Sequence, residues 1–117
     1  MQFTDHKAIY LQIIDLVMEK ILSKEWAIGE KIPSVRDLGA SIEVNPNTVM
    51  RAYDKLQKDE LIFNKRGLGF YVSENAAEKI QHLLKKNFLE NEAPKFFQNA
   101  KLLNISLNEI MDLYNKH

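Results

Sequence analysis

No cysteine occurs among the 117 residues, so neither a disulfide nor a thiolate metal site can hold this chain together. That absence suits a reducing cytoplasm. No stretch approaches the ~18 consecutive apolar residues of a membrane-spanning helix, so no membrane partner is expected. The start, MQFTDHKAIYLQ, lacks a basic patch followed by an apolar run, and a secretory signal is not expected either. An excess of one charge is missing too: 16 Lys and Arg stand against 16 Asp and Glu, so the net charge gives no bulk pull on a polyanion. The three histidines (His6, His82, His117) lie in separate regions without metal-ligand spacing. Ser34, Ser41, Ser73 and Ser106 have no nucleophile elbow and no base nearby in sequence. Catalysis, metals and cofactors are therefore not expected.

What is present is 45% apolar residues, enough for one small core and an appendage. From Lys7 to about Lys24, Ile9, Ile13, Leu16, Val17 and Ile21 recur at helical spacing, with Thr4 or Asp5 placed to cap the start. Gly29 opens a turn that Pro33 ends. Ser34 precedes Asp37 by three residues, the spacing of a capping box, and predicts a second helix over about 35–42 with Val35, Leu38 and Ile42 inward. Arg36 falls in its first turn and points outward. Glu43-Val44 closes that helix. Asn45-Pro46 opens a third, because Asn caps well and Pro at the first helical position gives up no needed hydrogen bond.

The third helix runs to about Asp59, with Val49, Ala52, Tyr53 and Leu56 as its buried stripe. Its other face carries Asn47, Thr48, Arg51 and Lys55, which are polar and include no acid. Leu61-Ile62-Phe63 and Phe70-Tyr71-Val72 then pair as a hairpin around Asn64-Lys65-Arg66-Gly67-Leu68-Gly69, with the glycines supplying positive φ. Helix, turn, helix and hairpin in that order make a winged helix-turn-helix, whose use is to place one helix in the DNA major groove. Local charge agrees: between Asn45 and Gly69 five basic residues (Arg51, Lys55, Lys58, Lys65, Arg66) meet three acidic ones (Asp54, Asp59, Glu60).

Beyond Ser73 the pattern is helical. Ile80, Leu83, Leu84 and Phe88 fall on one stretch, Asn91 to Pro94 interrupts it, and a short run reaches Leu103. Ser106 with Glu109 is a second capping box, leading into Ile110, Leu113 and Tyr114. These apolar side chains are too many for a solvated appendage and too few to enclose a pocket alone. The expected use is dimerisation through Ile80, Leu83, Leu84, Phe88, Ile110, Leu113 and Tyr114. The fold class is thus α+β: a winged helix-turn-helix domain over 1–73 and a short all-α dimerisation tail over 74–117.

Several pieces in order resemble the GntR family of bacterial transcription regulators. They are Gly29-Glu30-Lys31-Ile32-Pro33-Ser34-Val35-Arg36-Asp37-Leu38, then Val44-Asn45-Pro46-Asn47-Thr48-Val49 with Arg51-Ala52-Tyr53 and Leu56. Leu61-Ile62 and Arg66-Gly67-Leu68-Gly69-Phe70-Tyr71-Val72 complete the match. The short helical tail looks like the YtrA-like branch. That resemblance implies a cytoplasmic homodimer that binds double-stranded DNA at an inverted repeat, usually as a repressor. Matched position by position, it implies DNA contacts from Ser34 and Arg36, from Asn45, Asn47, Thr48 and Arg51, and from Arg66 and Gly67 at the wing tip. Lys55 and Lys65 join them from the helix face and the hairpin. Two other functions stay open: a winged helix that docks a protein, for which zero net charge argues, and a regulator with a small-molecule effector lodged between the winged domain and the tail, where Phe88, Phe96, Phe97 and Tyr114 would line the pocket.

Overall fold

Helix α3 (Pro46–Lys58) is the piece on which its neighbours pack. In the computed structural model, which describes residues 7–117, its Val49, Ala52, Tyr53 and Leu56 have no accessible surface. Full burial of a Val or Leu side chain contributes roughly 1.5–3 kcal/mol, so this stripe anchors the helix firmly. Helix α1 (Ile9–Leu22) lays Ile13, Val17 and Ile21 into the same core. Ile9, expected on that face, is 44% exposed, and Leu16 is half-buried while Ile14 is buried in its stead. The cap expected at Thr4 or Asp5 lies outside the described residues; Ala8 occupies the N-cap position and offers no side-chain acceptor.

Helix α2 (Val35–Ile42) starts as its sequence demands, with Ser34 Oγ accepting the Asp37 N–H at 3.0 Å. Only that half of the capping box forms. The helix buries Leu38 and Gly39, leaving Val35 and Ile42 half-buried. It ends at Glu43 in the left-handed region (φ 57°), and the Val44 N–H donates to the Gly39 carbonyl at 2.8 Å. A Cβ on Gly39 would sit 2.6 Å from the Val44 oxygen, so the tight turn between α2 and α3 depends on glycine here. Asn45 then caps α3, its Oδ1 accepting the Asn47 N–H at 2.8 Å, with Pro46 in the first turn.

Strands β1 (Ile62–Lys65) and β2 (Gly69–Val72) form the antiparallel wing, with Ile62 opposite Val72 and Lys65 opposite Gly69. Gly67 has φ 78° in the turn closed by the Leu68 N–H to the Lys65 carbonyl at 2.8 Å. A positive φ at the third turn position is what glycine supplies. One feature went unforeseen. The segment after Gly29 joins the wing's outer edge, as the Ile32 N–H donates to Phe70 at 2.9 Å and the Val72 N–H to Glu30 at 3.0 Å.

The chain divides into two compact units, one ending at Ile80 and one starting at Gln81. Helix α4 (Ala76–Asn87) begins in the first, where Ala76 and Ile80 have no accessible surface. This corrects one expectation: Ile80 is core of the winged unit and has no surface left for a second subunit. The second unit is all helical, with α5 (Ala93–Leu102) and α6 (Leu107–Lys116) following a π-helical turn over Phe88–Glu92. Here too the structure differs from the expected break at Asn91 to Pro94. Pro94 has no N–H, and in a regular helix its ring would clash with the carbonyl four residues back. The widened turn, in which the Ala93 N–H reaches the Phe88 carbonyl, lets the helix continue without interruption. Helix α5 stops at Asn104 (φ 56°), where the Ile105 N–H bonds to Ala100 and the Asn104 N–H to Lys101, a Schellman ending. Ser106 and Glu109 form the full reciprocal capping box expected of them.

Candidate nucleic-acid interface

The outer face of α3 is set by its inner one. Because Val49, Ala52, Tyr53 and Leu56 all point into the core, Asn47, Arg51 and Lys55 are driven to solvent and Thr48 sits half-buried beside them. Tyr53 also ties the two helices of the motif together. Its hydroxyl donates to the Pro33 carbonyl at 2.7 Å, and its ring meets Phe70 edge-on at 5.0 Å. Burial pushes the Tyr53 phenol well above its usual value, so it stays protonated and keeps that bond. The start of α2, with Ser34 and Arg36, is thereby fixed relative to α3.

The ten residues expected to meet DNA fall into distinct physical situations. Arg36 and Arg66 are exposed, and neither has an ion pair or hydrogen bond among the described residues, so their donors are available to phosphate or a guanine edge. Gly67 lies at the wing tip with open space where a side chain would be. Ser34 and Asn45 spend their acceptor oxygens on the helix caps just described. Lys55 pairs with Asp59 at 3.2 Å; both groups are partly exposed, so this tethers the charge weakly. Lys65 is drawn back over the Tyr71 ring at 4.5 Å instead of standing free at the tip.

Arg51 is placed differently again: its guanidinium carbon lies 3.8 Å from the centre of the Tyr10 ring on α1. An open recess of about 350 Å³, lined by Ala8, Ile9, Tyr10, Asn47, Thr48 and Arg51, runs along this junction. The structure thus brings Asn47, Thr48 and Arg51 together and adds Tyr10. Tyr10 was not foreseen, because it reaches the site from a segment distant in sequence. On the wing, the Lys31 side chain lies against Gly69, where a Cβ would come within 2.9 Å of the Lys31 Cε. Among the described residues no group of His, Asp or Glu is arranged to hold a metal ion, and no helix is long and apolar enough to cross a membrane.

A donor-bearing helix presented by a buried opposite stripe, held to a preceding short helix and followed by a basic hairpin, defines a winged helix-turn-helix DNA-binding regulator. Residues 9–72 match the family described as bacterial regulatory proteins, gntR family, and the chain belongs to that GntR family. It is 32% identical over 113 residues to the HTH-type transcriptional regulator YhcF of Bacillus subtilis (strain 168), an alignment spanning 95% of this chain and 90% of YhcF. Over 68 residues it is 47% identical to the HTH-type transcriptional repressor YtrA of the same organism, covering 58% of this chain and 52% of YtrA. A crystal structure of a GntR-family regulator from Bacteroides thetaiotaomicron superposes with a TM-score of 0.83 at 43% identity, over 93% of this chain and 95% of the other. The chain is accordingly a transcription regulator and not an enzyme.

Proposed function

We propose that this regulator acts as a homodimeric repressor of the YtrA-like kind, binding an inverted-repeat operator in the cytoplasm. The observation that carries DNA reading is the face of α3, where Asn47, Thr48 and Arg51 turn outward at the N-terminal end with no acid among them. Arg36 from α2 and Arg66 from the wing flank it as unpaired cations. Pairing of two copies is supported by the second unit. Leu84, Phe88, Leu113 and Tyr114 are 44%, 51%, 65% and 81% exposed, and Leu83 and Ile110 are half-buried. Large apolar side chains left this exposed are costly in water unless a partner covers them. The repressor role rests on likeness to YtrA.

Selection of bound duplexes from a random library, at two salt concentrations, tests this reading. An enriched two-fold repeat whose occupancy falls steeply as salt rises is the expected result, since released counterions drive phosphate contacts. No enrichment at either salt would count against DNA reading by this chain and favour a protein-docking use of the winged fold.

A further inference from the structure

The stack of Arg51 on Tyr10 links a side chain of the recognition helix to α1, an element that otherwise serves only the core. We infer that Tyr10 is a positioning residue for DNA reading, holding the Arg51 guanidinium flat so that its N–H edge faces the bound duplex. The inference rests on the reading of Arg51 as a DNA contact.

A guanidinium is planar, with all of its N–H donors in the plane. The Arg51 guanidinium carbon lies 3.8 Å from the ring centre, a separation that suits face-on stacking on Tyr10, and the residue as a whole stays exposed. Among the described residues no acceptor or acid consumes its donors. The ring attracts the cation through its quadrupole without competing for the hydrogen bonds that a phosphate or a guanine edge would use. An arginine on a free helix surface samples many rotamers and must surrender them on binding. Here part of that ordering is done before DNA arrives. The recess beside the stack, between Ala8 and Ile9 on one side and Asn47 and Thr48 on the other, leaves room for the duplex edge that those donors would meet. A carboxylate in place of Tyr10 would fix Arg51 as well, but would neutralise it.

The test is a double-substitution cycle on the full chain, with the duplex enriched by selection as probe. Arg51→Ala should weaken binding roughly 5- to 150-fold. Tyr10→Leu should weaken it roughly 2- to 30-fold, the range spanned by exposed to desolvated cation–π pairs. The double variant should bind within about twofold of Arg51→Ala alone, because Tyr10 acts only through Arg51. Tyr10→Phe keeps the ring and should bind like the parent, which also guards against a Tyr10→Leu variant that folds poorly. In addition, Tyr10→Leu should flatten base preference at the same position in each half-site that Arg51→Ala flattens; a purely structural role would not move that readout.

Additive losses in the double variant would overturn the positioning role. So would a Tyr10→Phe variant as weak as Tyr10→Leu, which would mean that the hydroxyl meets DNA directly. If Arg51→Ala bound like the parent, the assignment of Arg51 itself would fall and the role of Tyr10 with it. That outcome is distinct from one in which Arg51→Ala weakens binding and Tyr10→Leu does not.

Discussion

The two units of this chain handle apolar residues in opposite ways. In the unit ending at Ile80, Ile13, Val17, Val49, Tyr53, Leu56 and Val72 have no accessible surface. In the unit from Gln81 onward, only Ala93 and Ala100 are buried among the described residues, while Leu102, Leu103, Leu107, Leu113 and Tyr114 are 65–81% exposed. Both segments have well-formed helices of moderate length with side-chain N-caps, at Ser34 and Asn45 in the first and Ser106 in the second. Local structure therefore does not separate them. What separates them is where their hydrophobic surface goes. The first unit buries most of its own and presents polar side chains outward, whereas the second keeps large apolar side chains exposed, the surface proposed to pair with a second copy.

The contrast can be broken from the tail side with the largest effect. Leu113→Glu places an uncompensated charge on the surface proposed to pair, and should cost about 3–5 kcal/mol of dimer stability. Sedimentation velocity should show monomers at concentrations where the parent is dimeric. An unchanged sedimentation coefficient would remove Leu113 from the interface.

On the winged side, Arg36→Ala should cost about 1–3 kcal/mol in operator binding with little change in melting temperature. Parent-like affinity would mean that the exposed Arg36 has no DNA partner. Tyr53→Phe removes the hydroxyl bonded to Pro33 and should lower folding stability by about 0.5–1.5 kcal/mol. The same residue gives a pH signature. Its folded-state value is raised, so the folded chain holds that proton more tightly than the unfolded one. Stability is then complete below the unfolded phenol value near 10 and declines as pH rises beyond it. Denaturant titrations above pH 10 should show that decline in the parent and a weaker one in Tyr53→Phe.

An effect of similar size marks the border between the units. Ile80→Val should reduce stability by about 0.5–1.5 kcal/mol and leave association unchanged, as suits a fully buried residue of the winged unit. A shift in the dimer equilibrium without loss of stability would return Ile80 to the interface.

Most of the winged unit could be read from sequence because its signals are local. The Val49, Ala52, Tyr53, Leu56 stripe, the Asn45-Pro46 start and the Gly67 turn each follow from residues within a few positions of one another. Non-local or permissive features escaped. The pairing of Glu30 and Ile32 with the wing joins segments some forty residues apart and leaves no periodic trace. The ends of α2, α3 and α5 fall close to where the sequence puts them, but the left-handed residues just past them (Glu43, Glu60 and Asn104) carry no glycine and so leave no trace of that conformation. Pro94 looked like a break because proline disrupts an α-helix; a π turn ahead of it can absorb the disruption. Of the candidate interface, the residues on α3 were legible as a polar face, but Tyr10 was not, since nothing in its own neighbourhood points toward DNA.

The most direct test of one unit reading DNA while the other joins two copies is the stoichiometry and affinity of the full chain on two duplexes. One duplex carries the enriched inverted repeat and the other a single half-site. Two chains per full repeat, with half-site binding weaker by orders of magnitude, is the expected result. One chain per duplex with equal affinity for both would contradict it, leaving the exposed apolar helices to some other partner.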